Sequence, residues 1–182
     1  MKELSLNILD IVENSVKAGA TLTEILLTEQ AGVLTLTVKD DGCGMTEETV
    51  KRVTDPFYTT RTTRAVGLGL PLLKLEAQQT GGDVTVTSRD KETYPETHGT
   101  EVTAVFHTDH IDCPPLGDIP ATVMTLVQGH PDTDFLFVHT KGENEVRLDT
   151  RELREILEGV PLDSFEVLQW IQGFLNESYE GF

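Results

Sequence analysis

The sequence predicts an α/β fold on three observations. Residues 3 to 18 and 68 to 80 repeat apolar side chains at helical spacing, segments 23 to 28, 33 to 38, 84 to 87 and 100 to 106 read as strands, and glycines punctuate the junctions. In the first helix Leu4, Ile8, Ile11, Val12 and Val16 share a face, and Gly19 supplies the stop. The strand runs Thr23 to Thr28 and Val33 to Val38 flank Ala31-Gly32, which predicts a hairpin. A Gly-rich turn at Asp41 to Gly44 leads into a short helix from Thr46 to Val53, ended by Asp55-Pro56. Tyr58 to Val66 has no apolar period and is expected to be a loop. Leu68 to Thr80 is the second long helix, stopped by Gly81-Gly82, and two more strands follow.

From His107 the texture changes to Pro, Gly and Asp, which places a linker at 109–118 between a first domain at 1–108 and a small acidic α/β domain at 119–182. The latter is expected to contain a helix at 121–127, strands at 135–139 and 145–148, and helices at 151–157 and 164–175. In the last of these Trp170, Ile171, Phe174 and Leu175 are expected to form the packing stripe.

With 182 residues, 14 Lys plus Arg and 31 Asp plus Glu, the chain carries a formal charge of −17. The field repels phosphate backbones and anionic lipid, so neither nucleic acid nor membrane is an expected partner. No apolar run is long enough to span a bilayer, and Glu3, Asp10 and Glu13 interrupt what a signal peptide needs, so a cytoplasmic location is expected. Two cysteines, Cys43 and Cys113, agree with a reducing compartment. The spacing of His107, His110 and Cys113 allows a metal site on a helix, but Asp112 and Pro114-Pro115 favour a polar linker.

Three groups of residues carry chemistry. Asp10, Asn14 and Lys17 align along one side of the first helix, presenting a carboxylate, a carboxamide and an ammonium. Mg²⁺ takes hard oxygen ligands but keeps waters, so a carboxamide can complete a shell built mainly by phosphates, while the carboxylate orients water and the ammonium neutralises phosphate. Asp40-Asp41-Gly42-Cys43-Gly44-Met45 leaves the second strand with glycines that admit a flat ligand and a carboxylate able to accept from an amine. Gly67-Leu68-Gly69-Leu70 opens the second long helix, whose free N–H groups and dipole suit phosphate.

In this order and spacing the chain resembles the GHKL ATPases: gyrase, Hsp90, MutL and the ATP-binding domains of sensor histidine kinases. Ile11 to Ala20 (IVENSVKAGA) resembles the MutL N-box, Asp40 to Met45 the adenine box, and Asp55 to Leu70 the PFYTT and GLGL boxes of histidine kinases. The resemblance covers roughly residues 4 to 107. It implies a two-layer α/β sandwich of the Bergerat type, with a mixed sheet and ATP and Mg²⁺ as ligands. It further implies Asn14 as the metal ligand, Asp10 as the activator of water with Glu13 adjacent, and Lys17 and Ala18 on the nucleotide side. Asp40 would accept from the adenine amine, with Gly42, Gly44, Met45 and Thr100 around the base. Thr59, Thr60, Arg61 and Arg64 would belong to the lid, and Gly67, Leu68, Gly69 and Leu70 to the phosphate side.

Two departures from the family pattern stand out. Ala65-Val66 precedes Gly67 where a glycine is common, and Asp10 is one methylene shorter than the usual glutamate, which favours binding over turnover. All five histidines follow the nucleotide boxes, so autophosphorylation in the usual arrangement is not expected within this chain. The expected function is a histidine-kinase-like ATPase or a kinase acting on a partner protein; the alternative is a nucleotide-gated binding module with negligible hydrolysis. A homodimer is compatible with either.

Overall fold

A computed structural model describes residues 3–55 and 68–182. The described elements run α1 (Leu4–Lys17), β1 (Leu22–Gln30), β2 (Val33–Asp40), α2 (Glu47–Arg52), α3 (Gly69–Gln79), β3 (Asp83–Arg89), β4 (Gly99–His107), α4 (Ile119–Gly129), β5 (Asp134–Lys141), β6 (Asn144–Asp149), α5 (Thr150–Leu157) and α6 (Phe165–Tyr179). Six strands form one mixed sheet in the order β3-β4-β2-β1-β5-β6. Every pairing is antiparallel except β1 with β5.

Local chemistry sets the register. Ala31 and Gly32 both adopt positive φ (51° and 77°), the requirement of a two-residue hairpin turn whose twist matches that of the strands, and Gln30 pairs with Val33 across it. Alternation then sends Ile25, Leu27, Leu36, Val38, Ala104 and Phe106 to the face covered by helices, while Glu24, Lys39 and Glu101 lie on the other. The helix α1 places Leu4, Ile8, Ile11 and Val12 on that buried face, as its periodicity predicts.

The segment expected to be a separate domain continues the same sheet. β5 lies beside β1 over Leu22↔Asp134 to Glu29↔Lys141, and Ile119, Val123, Leu126, Phe135, Phe137, Ile171 and Leu175 share one core cluster with Leu4 and Ile8. Parallel pairing has no hairpin to announce it, so the expected boundary rests on the Pro-, Gly- and Asp-rich texture at 109–118 and on the acidity beyond it. The connector 109–118 also secures α1, since the carbonyls of Pro115 and Leu116 accept from the N–H groups of Leu4 and Ser5, each at 2.9 Å. Glu3 caps α1 with no side-chain bond, so the connector supplies partners for donors that a helix start leaves open. Among the described residues no group of His, Cys, Asp or Glu is arranged to hold a metal; His110 Nδ1 instead accepts from the Asp112 N–H at 3.1 Å. In α6, Ile171 and Leu175 are buried as expected, but Trp170 faces outward, 51% exposed, because it is rotated off the inner stripe by about 100° per residue.

A buried histidine ties the end of the chain to β1. His139 is fully buried, its Nε2 donating to Glu29 Oε1 at 2.9 Å and its Nδ1 accepting from the Tyr179 hydroxyl at 2.8 Å, with the Phe182 ring at 4.6 Å. Burial lowers its pKa below the ordinary imidazole value and nearby Lys141 adds to this, outweighing the opposing pull of Glu29. The unfolded chain therefore takes up a proton that the folded chain refuses. This contribution to stability is full above about pH 6.5 and is lost as pH falls below it. In urea denaturation at several pH values, the stability difference between the native chain and His139→Gln should narrow on acidification; a pH-independent difference would contradict the assignment.

Candidate functional site

The site forms where β2 runs out beside the C-terminal half of α1. Asp40, the last residue of β2, is held at both oxygens: Ser15 Oγ donates to Oδ2 at 2.7 Å and the Gly42 N–H to Oδ1 at 2.9 Å. A fixed carboxylate of this kind retains a second lone pair on each oxygen for a ligand donor. The adjacent Asp41 has a different role. It accepts from the Thr21 hydroxyl and from the N–H groups of Thr21 and Leu22, pinning the loop to the start of β1. Partial burial acts against its ionisation, but these bonds prevail and hold the carboxyl below its usual range.

The loop after Asp40 needs its glycines for space. A Cβ on Gly42 would lie 2.9 Å from Ala18 Cβ, and one on Gly44, which has φ +69°, would lie 1.9 Å from the carbonyl oxygen of Arg89. The Cys43 N–H donates to the Ala18 carbonyl and the Lys91 N–H to the Cys43 carbonyl, so the loop is laced between α1 and the segment after β3. Ser88 Oγ accepts from the Met45 N–H at 2.8 Å and donates to the Gly99 carbonyl, which leaves Thr100 as the donor in its 2.7 Å contact with Ser88. His98 Nδ1 donates to the Gly42 carbonyl.

These elements enclose a cavity of about 250 Å³ with Ile11, Val38, Met45, Val53, Leu70 and Val102 as apolar wall, and Asn14, Ser15, Asp40, Thr49 and Thr100 as polar groups. Apolar faces with a few placed polar groups suit a flat heteroaromatic ring bearing an amine. Of the expected residues, the structure brings Asn14, Ala18, Asp40, Gly44, Met45, Leu70 and Thr100 to this one cavity, with Gly42 packed behind it. Asp10 sits one turn before Asn14, beside the start of α3: a Cβ built on Gly69 would lie 3.5 Å from Asp10 Cβ. Desolvation there raises the Asp10 pKa; Lys17 opposes the shift and Glu13 adds to it. The first turn of α3 has no side-chain cap. Leu68, just before it, is exposed.

Glu13 points elsewhere. Its Oε1 lies 2.7 Å from His130 Nε2 at the end of α4, so one helical step turns it from the cavity to the C-terminal part of the chain. Thr59, Thr60, Arg61, Arg64 and Gly67 lie outside the described residues. Sequence reasoning misses Ser15, Thr49, Ser88 and His98. A signal for Ser15 exists: it follows Leu4, Ile8 and Ile11 in the inward stripe, where a polar residue needs a buried partner.

The model of the family described as histidine kinase-, DNA gyrase B-, and HSP90-like ATPase matches residues 2–110. Sporulation kinase E of Bacillus subtilis (strain 168) is 35% identical over 91 residues, 50% of this chain and 12% of its own length. The sensor histidine kinase WalK of the same organism is 34% identical over 84 residues, 41% of this chain and 14% of its own. The matches thus span a small part of these relatives. Among solved structures, the Aquifex aeolicus MutL ATPase domain complexed with ADP superposes with TM-score 0.55 at 16% identity, over 87% of this chain and 70% of that one. The N-terminal domain of a DNA repair protein gives TM-score 0.58, also at 16% identity, over 82% and 53%. At these identities the likeness is one of fold: an α/β sandwich with a mixed sheet.

The contact at Gly44 yields a test of the loop that needs no ligand. Gly44→Ala must displace the Arg89 carbonyl and adopt a left-handed backbone, and should lower stability by about 1–3 kcal/mol in chemical denaturation; an unchanged midpoint would contradict the close approach.

Proposed function

The chain belongs to the histidine kinase-, DNA gyrase B-, and HSP90-like ATPase family, and from that premise we propose that the cavity binds the adenine of ATP, that Asn14 ligates the accompanying Mg²⁺, and that Asp10 activates the attacking nucleophile. The observation that carries this reading is the doubly anchored Asp40 at the end of an apolar slot. A carboxylate there accepts from the exocyclic amine of adenine and repels a carbonyl oxygen at the same place.

The donor set fits the metal. Asn14 contributes a neutral hard oxygen at the cavity wall, and Asp10 lies one turn away on the same helix. When bound, Mg²⁺ neutralises charge on the phosphates. The chain's own groups do the rest: Lys17 offsets phosphate charge, the uncapped first turn of α3 presents N–H donors, and Asp10 takes the proton of the nucleophile. Arg61 and Arg64 supply further cations from the segment before Gly67. The acceptor in this reading is water or a side chain of a partner protein. Among the described residues no helix is long and apolar enough to cross a membrane.

A second reading, nucleotide-gated partner binding with negligible hydrolysis, has its own support. Asp10 is shorter than the usual glutamate, and the hydrogen bond between His130 and Glu13 links the nucleotide helix to the C-terminal segment. Radiolabelled ATP separates the two: phosphate release or labelled partner supports catalysis, intact bound nucleotide supports gating.

In calorimetric titrations, Asp40→Asn should weaken ATP binding by about tenfold or more, the worth of a charge-assisted hydrogen bond. Asn14→Ala should remove the difference between titrations with and without Mg²⁺. Affinities unchanged in both variants would overturn the assignment. If turnover is present, Asp10→Asn should abolish it while retaining ATP affinity. Because Asp10 must be ionised to act and its pKa is raised, the acidic limb of the rate profile should lie above the ordinary aspartate range; a rate independent of this variant would exclude Asp10 as the base.

A further inference from the structure

We propose that the solvent face of α6 is a docking surface for a basic amphipathic helix of a partner protein. Trp170 is the chain's only tryptophan; 51% exposed, it stacks flat on Phe174, with ring centroids 5.1 Å apart and planes 8° from parallel. Its helix already fills the core with Val167, Ile171 and Leu175, so the outward aromatic area is not used by the fold. Aromatic side chains standing out on a helix whose inner stripe is complete are typical anchors for a partner.

Charge defines that partner. Glu166 lies four residues before Trp170 and Glu177 seven after, which puts both carboxylates on the tryptophan's side of the helix. The basic residues of the segment 111–182 are Lys141, Arg147, Arg151 and Arg154, and each is engaged elsewhere: Lys141 by Glu29, Arg147 by Asp149 and Glu152, Arg151 by Asp149, and Arg154 by Asp134. Among the described residues Glu166 and Glu177 have no ion pair. Lysines or arginines of a partner meet these carboxylates and the face of the indole, while its apolar side covers the exposed part of Trp170. A second copy of this chain, also at −17, brings like charge to the same surface and is disfavoured. α6 has 15 residues, about 22 Å of helix, which sets the length of the matching element. The surface lies beyond residue 110, outside the family match, and the proposal does not rest on the nucleotide reading.

The lone tryptophan reports on its own surface. The full chain is titrated with a synthetic Leu–Lys peptide of about 15 residues designed as an amphipathic helix, and with a scrambled peptide of the same composition. The amphipathic peptide should shift Trp170 emission to the blue and saturate. Glu166→Lys with Glu177→Lys should weaken the effect by about tenfold or more, whereas Glu143→Lys with Glu145→Lys, at the tip of the β5–β6 hairpin, should not. Calorimetry with Trp170→Ala should show the same loss as the α6 charge reversal. Absence of a shift, an equal response to the scrambled peptide, equal weakening by the two charge reversals, unchanged affinity of Trp170→Ala, or a shift produced by protein concentration alone would each overturn the proposal.

Discussion

Asp40 stands at the point where the sheet, the first helix and the glycine loop are fastened together. Its Oδ2 takes the hydroxyl proton of Ser15 from α1 and its Oδ1 takes the N–H of Gly42 from the loop. Because β2 lies inside the sheet, between β1 and β4, the carboxylate inherits the rigidity of the strands on either side. The loop glycines follow from that placement. With Gly42 against Ala18 and Gly44 against the Arg89 carbonyl, the backbone folds closely enough to close one end of an apolar cavity. Partial burial of an anion is costly unless it is hydrogen-bonded, and these two bonds make a fixed carboxylate at the cavity wall tolerable.

The first helix is the other fixed element, and the C-terminal part of the chain does much of the fixing. Pro115 and Leu116 accept from its first N–H groups, α4 packs along it, and His130 pairs with Glu13 next to Asn14. β5 beside β1 extends the sheet on which that helix rests. The segment after residue 110 is therefore built into the support of the cavity, and a partner seated on α6 would sit on a helix that packs against α4.

Much of this is legible in the sequence. The helical stripe of α1, the Ala31-Gly32 hairpin and the order of the polar groups on α1 and β2 are visible because each depends on residues close in the chain. The register of β1 with β5 is not, since parallel neighbours leave no turn and both strands carry ordinary alternation. The resemblance already sets Asp10 rather than its neighbour Glu13 at the water-activating position, and the packing adds that the two acids, three residues apart on α1, lie toward α3 and α4 respectively. Ser15 and Ser88 escape notice because serine is unremarkable in composition; their importance comes from being buried or half-buried next to Asp40 and Thr100. Hydrophobicity alone sends Trp170 inward, whereas helix phase places Ile171 and Leu175 inside and leaves the indole out.

In the proposed function the Asp40 carboxylate distinguishes an amine from a carbonyl at one end of the cavity. Paired calorimetric titrations of the native chain with ATP and GTP, at equal Mg²⁺, address this directly. ATP should bind more tightly by about tenfold to a hundredfold, because the guanine carbonyl would face the Asp40 carboxylate without a proton between them. Equal affinity for the two nucleotides, or preference for GTP, would contradict the central claim.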